Sequence, residues 1–338
     1  MEVKQRDVNK EHRPKLGIWC LSLIALLLVV PVGAIDHPAD YIHLNIPNPI
    51  PDADPRYFLA GGLCAAASHG LTTPIDVVKT RMQASPGKYG NVVSAIVEIL
   101  RVDGNKALLK GFGPTVVGYG IEGGTKFGLY ESLKPELARL FPFDNPAFPY
   151  LIASIAAGAV ASLMLCPMER IRIRSVTDPK FASGFVTGIT QLVQESGIRV
   201  LFSGLSAMLS KQVPYTFGKQ VAFDWFARFL HSVSAAANLG TTTGVNFEVS
   251  FVAAFLASIL ACVLSQPGDV ILTATFKNPQ ANASFTDAVS ALYRAQGFKA
   301  FFSGISARFL HVGTIITSQL VLYDVIKQLL GLPATGAT

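Results

Sequence analysis

Six ionisable side chains stand inside long apolar stretches of this 338-residue chain: His69, Glu122, Lys126, Lys211, Lys219 and His311. Placing such a group in hydrocarbon costs about 2.5–3.5 kcal/mol on insertion scales, so it normally faces a water-filled passage. Three lysines and two histidines against a single carboxylate make a basic, hydrogen-bonding lining. At low dielectric that lining suits a small anion such as phosphate, with each lysine acting as a point charge. A plainer reading stands beside this one. Lysines can snorkel towards an interface, and buried histidines can simply satisfy helix packing. Lys211 sits deepest of the three lysines and fits snorkelling least.

These residues are positioned by a threefold internal repeat. Pro74-Ile75-Asp76-Val77-Val78-Lys79-Thr80-Arg81 recurs as Pro167-Met168-Glu169-Arg170-Ile171-Arg172-Ile173-Arg174 and as Pro267-Gly268-Asp269-Val270-Ile271-Leu272. Each proline is followed 30 residues later by a glycine (Gly104, Gly197, Gly297) and 37 residues later by another (Gly111, Gly204, Gly304). Seven residues beyond the second glycine stand Gly118, Lys211 and His311, at equivalent depth. Glu122 and Lys126 then share a helix face with Gly118, and Tyr215 and Lys219 share one with Lys211. His69, five residues before Pro74, lies near the same level. Each unit reads as an apolar helix running to its proline, a polar segment with a short amphipathic helix, a glycine turn and a second apolar helix. The second helices end in Tyr130-Glu131-Ser132-Leu133-Lys134, Phe223-Asp224-Trp225-Phe226-Ala227 and Tyr323-Asp324-Val325-Ile326-Lys327.

Composition agrees with a membrane protein. Half the residues are apolar, 15% are charged, and the mean hydropathy is +0.42. A soluble chain of this length would need more charged surface. The fold expected is therefore all-α, with six transmembrane helices in pseudo-threefold symmetry, plus an extra N-terminal hydrophobic helix. The loops at 76–112, 169–204 and 269–304 hold 6, 5 and 3 Lys/Arg against 3, 3 and 2 acids, which places them on the positive side. The net charge of +6 forms no basic stripe with interleaved aromatics, so nucleic-acid binding is not expected. Cys20, Cys64, Cys166 and Cys262 are too scattered for a disulfide framework or a metal cluster. No nucleophile–base pair or glycine-rich nucleotide loop stands out either, which argues against an enzyme.

Over about residues 56–331 these motifs resemble the mitochondrial carrier family. Odd helices carry proline, acid, two residues, base; even helices carry aromatic, acid, two residues, base. Within the family the chain is most similar to the phosphate-carrier branch, through Pro86-Gly87-Lys88-Tyr89, Gly118-Tyr119, Lys126-Phe127-Gly128-Leu129-Tyr130-Glu131, Leu165-Cys166-Pro167-Met168-Glu169, Gln212-Val213-Pro214-Tyr215-Thr216 and Val312-Gly313-Thr314. The resemblance implies alternating access between two gates. Asp76, Lys79, Glu169, Arg172 and Asp269, braced by Gln83, would form the matrix gate. Tyr130, Glu131, Lys134, Asp224, Tyr323, Asp324 and Lys327 would form the cytoplasmic one. It also places substrate contacts at His69, Glu122, Lys126, Lys211, Gln212, Tyr215, Lys219 and His311. Leu272 and Ala227 stand where bases are expected, so both networks read as incomplete and weaker than a full ring. Gly158 and Ser162 occupy positions where the phosphate-carrier branch has acids implicated in proton coupling. Glu122, with His69, is the expected replacement.

Residues 1–15 read as a basic tail and 16–35, free of charge, as a seventh span or a cleaved signal. Residues 36–55 read as a proline-rich linker, followed by repeats at 56–139, 148–232 and 246–331. The expected location is the mitochondrial inner membrane, or a plastid or other organelle membrane if 1–35 is a signal. No cofactor is expected beyond a bound lipid such as cardiolipin. The expected substrate is phosphate with a proton. The rivals are another small anion, or a non-transporting carrier-fold subunit associated with an inner-membrane complex.

Overall fold

The computed structural model describes residues 54–142, 147–182, 184–236, 243–277 and 284–331. The basic tail, the hydrophobic segment at 16–35 and almost all of the proline-rich linker lie outside the described residues. Nine α-helices are present among those described: α1 (Pro55–Ala84), α2 (Val92–Asp103), α3 (Phe112–Leu140), α4 (Ala147–Thr177), α5 (Phe185–Ser196), α6 (Leu205–Ala236), α7 (Thr243–Lys277), α8 (Phe285–Gln296) and α9 (Ile305–Leu329). Short 3-10 turns at Asn105–Leu109, Ile198–Phe202 and Gly297–Phe302 complete three copies of one pattern. A long helix carries a proline, a 12-residue helix follows, and a tight turn leads into a second long helix.

Local sequence explains the ends. Asp54 accepts from the Arg56 amide to cap α1, and Pro55 at the first position loses no helical bond. Asn91 and Ser284 form capping boxes with Ser94 and Asp287 at the starts of α2 and α8. Gly104, Gly197 and Gly297 leave the short helices with φ between 62° and 76°, a region L-residues avoid. The long helices run through their prolines. In α1 the turn before Pro74 is stitched by side chains, as Thr72 donates to the Ser68 carbonyl and Thr73 to the His69 carbonyl.

Successive long helices pack in chain order, α1 on α3, α3 on α4, α4 on α6, α6 on α7 and α7 on α9, and α9 returns onto α1. The six therefore close a ring. The proline-bearing helices α1, α4 and α7 also touch one another. Two helices, Phe148–Thr177 and Phe251–Lys277, are long and apolar enough by composition alone to cross a membrane.

Glycines set how closely the helices approach. A Cβ on Gly268 would run into the Ser210 carbonyl of α6, and one on Gly118 would meet the Met168 side chain of α4. Both contacts have a purpose: the first brings Lys211 beside Asp269, the second brings Tyr119 beside Glu169. Gly268→Ala should therefore lower stability by about 1–3 kcal/mol through overpacking against backbone. Gly113, with open space at its Cβ position, should tolerate alanine or gain up to about 1 kcal/mol from helix propensity. Melting temperatures of the two purified variants in detergent test the contrast.

Candidate functional site

At the proline end of the ring three carboxylates and three bases are buried together, with a fourth base, Lys211, half-buried beside them. Arg172 of α4 pairs with Asp76 of α1 across the repeat boundary and holds Glu169 with two hydrogen bonds, both 2.8 Å. Lys79 of α1 reaches Asp269 of α7 at 3.1 Å and its own neighbour Asp76 at 3.4 Å. Gln83 donates to Asp269 at 2.7 Å and accepts from Thr273 at 2.9 Å. Lys211 of α6 stands 3.3 Å from Asp269 and 3.6 Å from Glu169. Arg308 of α9 stands 3.6 Å from Asp269 and is fixed by Ser265 at 2.6 Å and Gln266 at 3.1 Å. Ions taken out of water in this way are tolerable only when paired and hydrogen-bonded, and here nearly every oxygen is.

The base expected at position 272 is absent, as the sequence indicated, but Asp269 has other partners. Leu272 is fully buried in an apolar cluster with Val270, Ile271 and Phe276 and supplies no charge, yet Asp269 does not lack partners. The bases arrive from α6 and α9, helices outside the proline motif. Of these, Arg308 went unnoticed in the sequence, although the burial cost that marks His311 applies equally to an arginine three residues earlier. Lys211 and His311, expected as substrate contacts, stand beside these acids. His311 Nδ1 lies 3.5 Å from Asp76, and its Nε2 shares a hydrogen bond of 3.3 Å with Thr72.

Just beyond, His69 lies flat on Tyr119, with ring centroids 3.6 Å apart and planes at 7°, and His311 meets His69 edge-on at 6.2 Å. Tyr119 donates to Glu169 at 3.3 Å, joining the aromatic stack to the ion network. Tyr119 appeared in the sequence only as the neighbour of Gly118; its hydroxyl is the polar handle that a buried tyrosine needs to satisfy. Further along α3, Lys126 and Glu122 face each other one turn apart at 3.6 Å. On α6, Gln212 lies against Thr216 at 3.4 Å, Tyr215 is half-buried and Lys219 is exposed. A Cβ on Gly158 would meet the Gln212 amide nitrogen at 3.2 Å and Thr216 at 3.6 Å. Gln212 and Thr216 thus fill the space that an acid at position 158 would claim.

At the other end of the ring, Lys134 pairs with Glu131 at 3.2 Å and its ammonium stands over Tyr130 and Tyr150 at 5.1 and 5.2 Å. The side chains of Asp224, Tyr323, Asp324 and Lys327 lie outside the described residues. Nearby, Arg56 spans from Asp54 to the Leu330 carbonyl, 3.1 Å away, tying the start of α1 to the end of α9.

A closed ring of six long helices with a charge network at one end is consistent with a membrane carrier. The profile described as "Mitochondrial carrier protein" matches residues 53–140, 143–234 and 244–333. The chain belongs to the mitochondrial carrier family, and is a multi-pass transport protein of the mitochondrial inner membrane. It is similar to "Mitochondrial substrate carrier family protein N" of Dictyostelium discoideum, with 35% identity covering 82% of this chain and 95% of that protein. It is similar also to the "Probable mitochondrial phosphate carrier protein" of Schizosaccharomyces pombe, with 30% identity over 84% of this chain and 94% of the relative. "Solute carrier family 25 member 3" of Homo sapiens is 30% identical over 82% of this chain and 78% of its own length.

Outside the ring, the second base of the first two motifs fastens a short helix to its long one. Arg81 pairs with Asp103 at 3.0 Å. Arg174 pairs with Glu195 at 2.6 Å and stacks over Phe181 at 4.4 Å. The Arg174 hydrogen bond is the main cause holding the Glu195 carboxyl below its ordinary value of 4.5. A depressed carboxylate pKa contributes stability that is present above the unfolded value and lost as pH falls through the folded one. Glu195→Gln should therefore lower the melting temperature at pH 7, and the gap to the parent should close as pH falls from about 5 to 3. Thermal unfolding across that range checks the sign.

Proposed function

We propose that this chain carries inorganic phosphate, with a proton, across the mitochondrial inner membrane by alternating access. In this reading α1, α3, α4, α6, α7 and α9 are six spans about a pseudo-threefold axis. The proline end faces the matrix, as the excess of bases in its loops favours. The observation that carries the proposal is the inner wall. Lys126 stands beside Glu122 on α3, and Lys79, Arg172, Lys211 and Arg308 face three carboxylates at the proline end; in this reading Lys126, Lys211, Lys219, His69 and His311 line one path. A surplus of positive charge at low dielectric favours a compact, highly charged anion. Relatives named as phosphate carriers over most of their length support the same substrate.

The network of Asp76, Lys79, Gln83, Glu169, Arg172 and Asp269 acts as the matrix gate. Glu131 and Lys134, with Tyr130, act as part of the cytoplasmic one. Glu122, paired with Lys126, is the proton carrier in this proposal, and His69 on its Tyr119 platform assists it. A second reading, a carrier of another small anion, draws on Gly158 and Ser162. Where the phosphate-carrier branch has acids, Ser162 here donates to the Gly158 carbonyl at 2.7 Å and Gln212 covers the site.

Reconstituted in liposomes with an alkaline interior, the protein should accumulate phosphate faster than sulfate or a dicarboxylate. Lys126→Gln should slow uptake about tenfold or more, the size of one lost charge-assisted contact. Glu122→Gln should abolish the pH-driven component and leave phosphate–phosphate exchange. Unchanged pH-driven uptake in Glu122→Gln would remove Glu122 from the role. Selectivity for another anion would favour the second reading, and absence of any flux a non-transporting subunit.

A further inference from the structure

In the first two repeats each acid keeps a base on its own helix, one turn further on. Lys79 stands 3.4 Å from Asp76, and Arg172 holds Glu169 with two bonds of 2.8 Å. These pairs lie within one repeat, so a movement between repeats leaves them intact. Asp269 has no such base, because Leu272 stands at the matching position. Lys79 at 3.1 Å and the Gln83 amide at 2.7 Å both reach it from the first repeat, and Lys211 at 3.3 Å from the second. A parting of the repeats would take all three away.

Arg308 is the exception. It lies on α9 of the same repeat, 3.6 Å from Asp269, and is 3% exposed. Its guanidinium is fixed from α7 itself, where the Ser265 hydroxyl accepts at 2.6 Å and the Gln266 side chain at 3.1 Å, one turn before Asp269. Gln266 in turn donates to the Ser303 carbonyl at 2.8 Å, in the turn that leads into α9. The groups that fix Arg308 beside Asp269 thus all belong to the third repeat. The sequence carries the same exchange. Four residues after the second glycine of each repeat stand Thr115, Met208 and Arg308. A base appears at this position only in the repeat that lacks one after its acid.

We propose that Arg308 is a positioning residue of the gate: it is the resident counter-ion of Asp269, and it stays with that carboxylate when the cross-repeat pairs part. This rests on the reading of the chain as an alternating-access phosphate carrier. A planar guanidinium anchored at two points suits a fixed task, because its fork is set independently of the carboxylate it serves. The consequence falls on the open gate. With Arg308 in place, each of the three acids faces a base of its own repeat, and a passing anion meets no bare carboxylate. Without it, Asp269 stands bare beside the path and like charge opposes the anion.

Exchange of inorganic phosphate by the full chain in liposomes tests this. Arg308→Gln should slow exchange about tenfold, the scale of one charge-assisted contact. Arg308→Lys keeps the charge and gives up the fork, and should recover most of that loss. Leu272→Lys added to Arg308→Gln returns a base to the place it has in the other two repeats, one turn beyond the acid, and should recover exchange as well. Ser265 and Gln266 lie a turn before Asp269, so a base at position 272 does nothing for a role confined to packing those two side chains. Exchange at the parent rate in Arg308→Gln would overturn the proposal. So would Arg308→Lys as slow as Arg308→Gln, which decides alone if the double variant does not fold. A double variant that melts at the parent temperature but exchanges no faster than Arg308→Gln would overturn it too. A parent that exchanges no phosphate would overturn the carrier reading together with this proposal, whereas a parent that does so leaves the carrier reading standing whatever the variants do.

Discussion

Everything in this molecule turns on charges that have been taken out of water at one end of a helical ring. Asp76, Glu169 and Asp269 are each 3% exposed or less, a placement that costs several kcal/mol per ion unless partners replace the lost hydration. For Asp76 and Asp269 these partners come from neighbouring repeats, so the desolvation cost of those two acids is met in full only when the ring is assembled; Glu169 is held by Arg172 of its own helix. Arg172 on Asp76 and Lys79 on Asp269 are thus both the reward for closure and the reason the closed arrangement is unique. The same property makes such a network suitable as a gate. A set of ions that is stable only in one arrangement has a defined alternative, in which water reaches it and the cost disappears.

Small residues make the arrangement possible. Gly118 lets α3 sit against Met168 of α4, and Gly268 lets α7 sit against the backbone of α6 at Ser210. These approaches deliver Tyr119 to Glu169 and Lys211 to Asp269. The packing that holds the ring thus also places Tyr119 and Lys211 within reach of the acids at the proline end. His69, stacked on Tyr119, and His311, between Thr72 and Asp76, extend the same connection to α1 and α9.

Much of this was legible in the sequence because it is periodic. Offsets of 30 and 37 residues from each proline mark the turns that Gly104, Gly197 and Gly297 make in the structure. The acids and bases of the gate follow from their register with the same prolines. What the repeat could not show is anything that breaks it. Leu272 looked like a vacancy, and the register held no instruction to look for its replacement on α6 and α9. Arg308 has Thr115 and Met208 at the corresponding positions of the other repeats, so no pattern pointed to it. Tyr119 was likewise hidden, because its importance lies in a stacking partner 50 residues away in chain order, His69, and in an acid on the next helix. Compensation across helices is a property of packing, and a one-dimensional register does not encode it.

The claim that the cross-repeat ion pairs hold the ring closed is tested most directly by a double-mutant cycle on Asp76 and Arg172, read as unfolding stability of the reconstituted full chain. Removing one partner of a buried pair strands the other, at a cost of about 3–5 kcal/mol, whereas removing both leaves no uncompensated charge between them. The account predicts that Asp76→Asn with Arg172→Gln is more stable than the sum of the two single losses requires, by well over 1 kcal/mol. Strict additivity of the two single losses would contradict it.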